Sequence, residues 1–452
     1  MEKRHRSISV LVICVVVAAS AVVGGLAPSA ALGSECTDTW TGSESGNWIE
    51  AESWSAERVP TESDVACIPK SHSVIVDSGP QRVETLRGGG ELVITEASLA
   101  VVGVAEASNI GTLRLRQGGE LGGTGELWVT EFLLGAGGLM KGDGYTRLGA
   151  EATGEVLGGE FEGTPGLRVT QKRVLSVSGS MDVRGEEGEL RVDEGGLLSD
   201  AGSLEIHGPT GKVVLRESAG LMNAGTLTVD GPEARLAAGE HSTVSNSGAL
   251  AVAGREGGVH LTGEAELTNG GSLTITGTGG EVRLQGTTLA NSGEVAIEGP
   301  GGRMLEAEGA LIENEGVLKV DSEDAGSGVL TGIASPPSLL RNGGTVDKTE
   351  GTGVSVIDVP IDNEALVETE TGILLLGGGG NSGVGGTSEW VAASENTYSA
   401  NTRLMFAIGD YSLGEEAAVA GELQIVSGAE VTADGIEGGE GASGYTEGTY
   451  AC

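Results

Sequence analysis

Aromatic side chains are scarce in this chain. They make up 3 % of its 452 residues, which excludes an extended sugar-stacking platform outside the one segment where tryptophans cluster. Cations are scarce too: 26 Lys and Arg face 65 Asp and Glu, a net charge of −39, so nucleic acid is excluded as a partner because phosphate binding needs clustered basic residues. Apolar runs long enough to cross a membrane are confined to the N-terminus, and the 81 glycines argue against helix of any length. Cysteine is limited to four positions, with no metal-ligand spacing. His72, His207, His241 and His260 stand alone in the sequence and read as surface or turn residues, and no catalytic constellation is visible.

What is abundant is glycine at a fixed stride. Gly179, Gly202, Gly225, Gly248, Gly271, Gly293 and Gly316 are separated by 23, 23, 23, 23, 22 and 23 residues. From Gly225 onward each closes an Asn-x-Gly turn, with Asn223, Asn246, Asn269, Asn291 and Asn314 at its start. One short unit is being stacked. Two residues before the asparagines come Leu221, Val244, Leu267, Leu289 and Ile312; after the turns come Leu227, Leu250, Leu273, Val295 and Leu318. A third apolar set, Leu215, Leu236, Leu261, Leu284 and Leu305, follows later in each unit.

Alternation such as Leu227-Thr228-Val229 is the period-2 signature of a half-buried strand. Three short strands per unit, joined by Gly- and Asn-rich bends, predict an all-β fold: a single-stranded right-handed parallel β-helix with about 22–23 residues per coil. The leucine-rich repeat has a similar period but needs helix or 3₁₀ turn between strands, whereas intervals such as GREGGVHLTG keep β-alternation between glycines. The asparagines are expected to form a structural turn ladder, tolerating left-handed backbone and bonding amide to amide along the axis. Lys212, Arg235 and Arg303 share an offset in their units and are expected on one face.

The N-terminal residues 1–33, with Arg4 and Arg6 before an apolar run from Ile8 to Leu26, read as a secretory signal peptide, or as an uncleaved anchor. Residues 34–80 read as a cap in which Trp40, Trp48 and Trp54 cover the first coil and Cys36 pairs with Cys67. Sugar stacking is the competing role for those rings. Irregular coils are expected over 81–175 and regular ones over 176–376, with an insertion near 330–340. After a Gly-rich joint, β-rich coils fill 377–452, and Cys452 is left without a partner.

The stretch Leu340-Arg-Asn-Gly-Gly-Thr-Val346 through Val359-Pro-Ile-Asp-Asn363-Glu-Ala-Leu-Val367, ending Gly372-Ile-Leu-Leu-Leu376-Gly, resembles a recurrent module of secreted bacterial β-helix proteins, of pectin-lyase-like or haemagglutinin-adhesin-like type. With the regular block the likeness covers about 300 residues, and Ala365, Lys348 and Thr369 depart from it. It implies the fold, and two functions. The first is a noncatalytic extracellular scaffold or adhesin presenting an acidic surface to a cell-surface or extracellular polysaccharide or protein. The second is a polysaccharide lyase or glycoside hydrolase, for which Asn-Thr-Asp, Asp-Asp, Gly-His-Gly and Arg-Ile-Lys pieces are absent. No cofactor is implied. Calcium is the sharper reading of the acidity, but the Glu and Asp are dispersed and no Gly-Gly-x-Gly-x-Asp loop occurs.

Overall fold

Each unit of the repeat lays down three strands and then returns one storey higher. One coil comprises Gly220–Asn223, Thr226–Asp230 and Arg235–Ala238, and the next begins at Thr243–Asn246. The computed structural model describes residues 35–159, 165–321, 329–333, 337–381, 388–392, 402–413, 417–426, 429–432, 436–438, 443–446 and 449–451. The expected signal segment, Cys452 and residues 334–336 of the insertion near 330–340 lie outside them.

Every strand of a coil pairs in parallel with its counterpart one coil away, which makes a parallel β-solenoid with three faces. On the first face Leu221, Val244, Leu267, Leu289 and Ile312 are register partners in succession. On the second, Leu227, Leu250, Leu273, Val295 and Leu318 stack likewise. On the third the inward column is Val213, Leu236, Val259, Val282 and Met304. All of these side chains are buried. Full burial of each such aliphatic group contributes roughly 1.5–3 kcal/mol, so the columns dominate the driving force for stacking.

The third apolar set is corrected in detail. Leu215 aligns with Ala238 and Leu261, Leu236 belongs to the neighbouring inward column, and Leu305 pairs with outward Arg283. Inward positions alternate with a strict period of two, so leucines at slightly different offsets fall on different columns.

The turn between the first two faces shows why the glycine stride is fixed. A Cβ on Gly248 would lie 2.2 Å from the Gly225 carbonyl oxygen, and one on Gly271 would lie 2.1 Å from that of Gly248. The stacked turns pass too close for any side chain. The asparagines, by contrast, are the last residues of extended strands, and none has positive φ among the described residues. The expectation of left-handed backbone at these positions is therefore wrong, although the ladder they form is real.

At the N-terminus Asp38–Thr39, Val65–Cys67 and Thr85–Arg87 pair in parallel, and the Cys36–Cys67 disulfide ties the first to the second. Trp40, Trp48 and Trp54 are at most 1 % exposed and meet edge to face at centroid distances of 5.2 and 4.9 Å. Trp54 Nε1 donates to the Trp48 carbonyl at 2.8 Å. Arg58 grips Asp64 with two hydrogen bonds of 2.7 Å, which holds that carboxyl well below the usual range.

Two features interrupt the regular stacking within 81–175. Ser108–Arg116 and Glu126–Ala136 run unbroken round a corner, and the register shifts between Val129 and Phe132. The buried Arg173 braces this region. It donates from Nη1 to the Gly123 carbonyl at 3.1 Å and from Nη2 to Tyr145 O and Thr146 Oγ1 at 3.1 and 2.9 Å. Burial lowers its pKa only to about 10, so it stays charged.

Toward the C-terminus Lys348 and Thr369, which replace apolar residues of earlier coils, are fully buried register partners. Lys348 Nζ donates to the Glu350 carbonyl at 2.8 Å. The Gly-rich segment expected to be a joint enters the ladder at Gly380–Asn381, whereas 382–387 lie outside the described residues. Beyond it Glu389–Ala392, Arg403–Phe406 and Ala417–Ile425 continue the faces, and Trp390, Phe406 and Tyr411 form a second buried aromatic cluster.

Candidate functional site

Side chains that leave the core at every second position compose the three outer surfaces, and any chemistry beyond stacking must come from them or from polar groups in the turns. The asparagines are one such set. Asn223 Nδ2 donates to Asn246 Oδ1 at 2.7 Å, Asn246 to Asn269, Asn269 to Asn291 and Asn291 to Asn314 at the same distance. The ladder then runs on through Asn342 to Asn363, across the 28-residue interval of the inserted coil and past Ala365 in place of glycine. From Asn223 to Asn342 each amide also donates to a main-chain carbonyl one coil further, as Asn223 does to Ala249 O at 2.9 Å. These residues are buried, and apart from Asn223 Oδ1 their side-chain amides are satisfied within the ladder and by the main chain, as a structural ladder requires.

Asp200 occupies the equivalent place one coil before Asn223, and the sequence reading missed it. Asp200-Ala-Gly202 keeps the Asn-x-Gly spacing with Asp substituted, which was the signal available. Its Oδ1 accepts from the Gly202 amide at 3.0 Å, while its Oδ2 and Asn223 Oδ1 are both buried without a hydrogen-bond partner. Burial raises this carboxyl to about 6.

A second acidic feature lies on the second face. Asp347, Glu368 and Glu370 bring carboxylate oxygens within 4.8 Å of one another, and Asp347 is buried with Oδ1 unpaired. Burial, followed by the charges of Glu370, Glu368 and Asp321, raises Asp347 to about 7; Lys319, its register partner, opposes the shift but is paired with Glu294 at 3.0 Å. These are the residues that could hold a hard cation by oxygen ligation. Dispersed acids in the sequence converge here because the register sets Asp347 beside Glu368.

The third face carries the cations. Its outward column at the strand starts reads Glu189, Lys212, Arg235, Gly258, Glu281 and Arg303, so the expected alignment of Lys212, Arg235 and Arg303 holds. The next outward column contains Arg191, Val214, Ala237, His260 and Arg283. Glu189 neutralises Arg191 at 2.7 Å, and Glu281 neutralises Arg283 and Arg303 at 2.7 and 3.0 Å. Between these pairs lies an open cavity of about 440 Å³ lined by Arg216, Arg235, Ala237, Gly239, Glu240 and His260, among others.

The remaining histidines gain partners that the sequence did not reveal. His207 Nδ1 lies 3.0 Å from Asp182 and His241 Nδ1 lies 2.8 Å from Glu264, both at exposed positions. Among the described residues no helix is long and apolar enough to cross a membrane.

The chain matches no family model, and no curated protein or solved structure matches it.

Proposed function

We propose that this chain is a noncatalytic extracellular scaffold whose solenoid presents a long acidic surface to a cell-surface or extracellular partner. The observation that carries this reading is the Asn223 to Asn363 ladder running beside unbroken aliphatic columns, because buried amides and close-packed side chains resist bending of the coils. Export is supported by the Cys36–Cys67 disulfide and by the apolar N-terminal run. The excess of carboxylates keeps the faces apart from other chains, as exposed strands require.

The burial of Trp40, Trp48 and Trp54 supports capping over sugar stacking, since rings exposed by 1 % or less offer no face to a glycan. A second reading, a polysaccharide lyase or glycoside hydrolase, is favoured only by the gathering of Asp347, Glu368 and Glu370. Incubation of the purified chain with a panel of uronate polysaccharides, with and without calcium, separates the two. The scaffold reading expects no chain shortening or unsaturated product, together with measurable binding to whole cells or a glycan array; product formation would reverse the order.

A further inference from the structure

We propose that the cavity between Arg216, Arg235 and His260 binds an oxyanion-bearing hydrophilic ligand of about monosaccharide size, a sugar acid or a sugar phosphate. The proposal goes beyond the scaffold reading and stands without it.

Charge is the first argument. In a chain with 65 acidic residues Arg168, Arg191, Arg283 and Arg303 on this face have each found an acid. Lys212, Arg216 and Arg235 differ: among the described residues none of them makes an ion pair, and they sit together in adjoining coils. The coils on either side pair Arg191 with Glu189 and Arg283 and Arg303 with Glu281, so Lys212, Arg216 and Arg235 lie between neutralised cations. Glu240 is the only acid lining the cavity, against two guanidinium groups.

Geometry is the second. Val214, Ala237 and Gly239 fall where neighbouring coils carry longer side chains, and their small size leaves the depression. Its volume of about 440 Å³ lies toward the small end of ligand pockets, roughly 300–1,000 Å³. Arg216 and Arg235 both line it, Arg235 Nε is without a hydrogen-bond partner, and guanidinium groups match carboxylate and phosphate oxyanions bidentately.

Polarity is the third. His260 is held neutral, its pKa pushed down to about 4 by burial and by Arg235 and Arg283, against the pull of Glu281. A neutral imidazole donates through one nitrogen and accepts through the other, which suits a hydroxyl. With the Thr262 hydroxyl beside it and no Phe, Tyr or Trp in the lining, the cavity favours a hydroxylated ligand over an apolar one.

The test is isothermal titration calorimetry of the full chain with glucuronate, glucose 6-phosphate and glucose. At least one of the two anions should bind, and which one identifies the oxyanion; glucose should not. Arg216→Gln/Arg235→Gln should weaken binding by about tenfold or more, as expected for loss of charge-assisted bonds. Ala237→Trp, which fills the depression and leaves both charges in place, should abolish it, whereas Arg82→Gln on a distant exposed pair should change nothing. Failure of both anions to bind, equal binding of glucose, or unchanged affinity in a folded double variant or in the Ala237→Trp chain would overturn the proposal.

Discussion

Asn269 Nδ2 donates at 2.7 Å to Asn291 Oδ1 in the next coil and at 2.9 Å to the Glu294 carbonyl in the turn beyond, so one amide joins two layers twice. Asn269 Oδ1 in turn accepts from Asn246. Asn269→Ala removes both links and leaves Asn291 Oδ1 without its donor from the ladder. A loss of roughly 1–3 kcal/mol is expected, because buried polar groups are stranded. Thermal unfolding followed by circular dichroism should show a lower midpoint, and an unchanged midpoint would refute the structural role.

Asp200 stands where a further asparagine would complete the ladder, and the consequence is a defined pH response. Its folded pKa, about 6, lies above the ordinary carboxyl value, so its contribution is favourable at low pH and is lost as pH rises through about 6. When protonated it can donate to Asn223 Oδ1; when ionised it leaves two acceptors facing each other. Asp200→Asn should therefore stabilise the chain by about 1–3 kcal/mol at pH 8, with the gain shrinking toward pH 5. Denaturation curves at the two pH values check this, and a destabilised variant at pH 8 would count against it.

The same sign holds for Asp347 on the second face. Raised to about 7 by burial and by Glu370, Glu368 and Asp321, it stabilises the fold while protonated and ceases to as pH climbs through neutrality. Asp347→Asn should raise the unfolding midpoint more at pH 8 than at pH 5, the gain vanishing only as pH falls below the ordinary carboxyl value of 3.8. Equal effects at both pH values would show that the carboxyl is not the titrating group.

The parts of this fold that are legible in the sequence are those where one residue type repeats at one offset. Leu227, Leu250 and Leu273 announce their column, and Asn223 to Asn314 announce their ladder. Legibility fails where chemistry substitutes for identity. Asp200 extends the ladder position under a different letter, and Arg173 bridges strands distant in sequence through backbone carbonyls, which leave no trace in residue type. Of the candidate sites, the alignment of Lys212, Arg235 and Arg303 was visible. The cavity beside them depends on small side chains at Val214, Ala237 and Gly239, whose meaning appears only when the coils are laid in register.

At the N-terminal end the disulfide and the tryptophan cluster secure the same few strands. Closing the interval of 31 residues between Cys36 and Cys67 contributes about 3–4 kcal/mol by the chain-entropy estimate. Cys36→Ser/Cys67→Ser should destabilise this end first. Trp40, Trp48 and Trp54 are three of the five tryptophans, so with Trp128→Phe and Trp390→Phe in the background the emission should shift to longer wavelength at lower denaturant than the loss of β-sheet signal. Coincident transitions would place the cap in the same cooperative unit as the coils. Trp54→Ala, which also removes the bond to Trp48 O, should cost about 3–5 kcal/mol and promote aggregation.

The carbonyl of Gly225 faces Gly248 as that of Gly248 faces Gly271, and the surroundings are the same at each turn. Cutting out 224–246 would therefore seat Asn269 on Asn223 and Leu250 on Leu204 with no atom asked to adopt a new geometry. Extent along the axis is thus an editable quantity, subtracted or duplicated in whole storeys, and a molecule so made can be shortened or lengthened without redesigning either end.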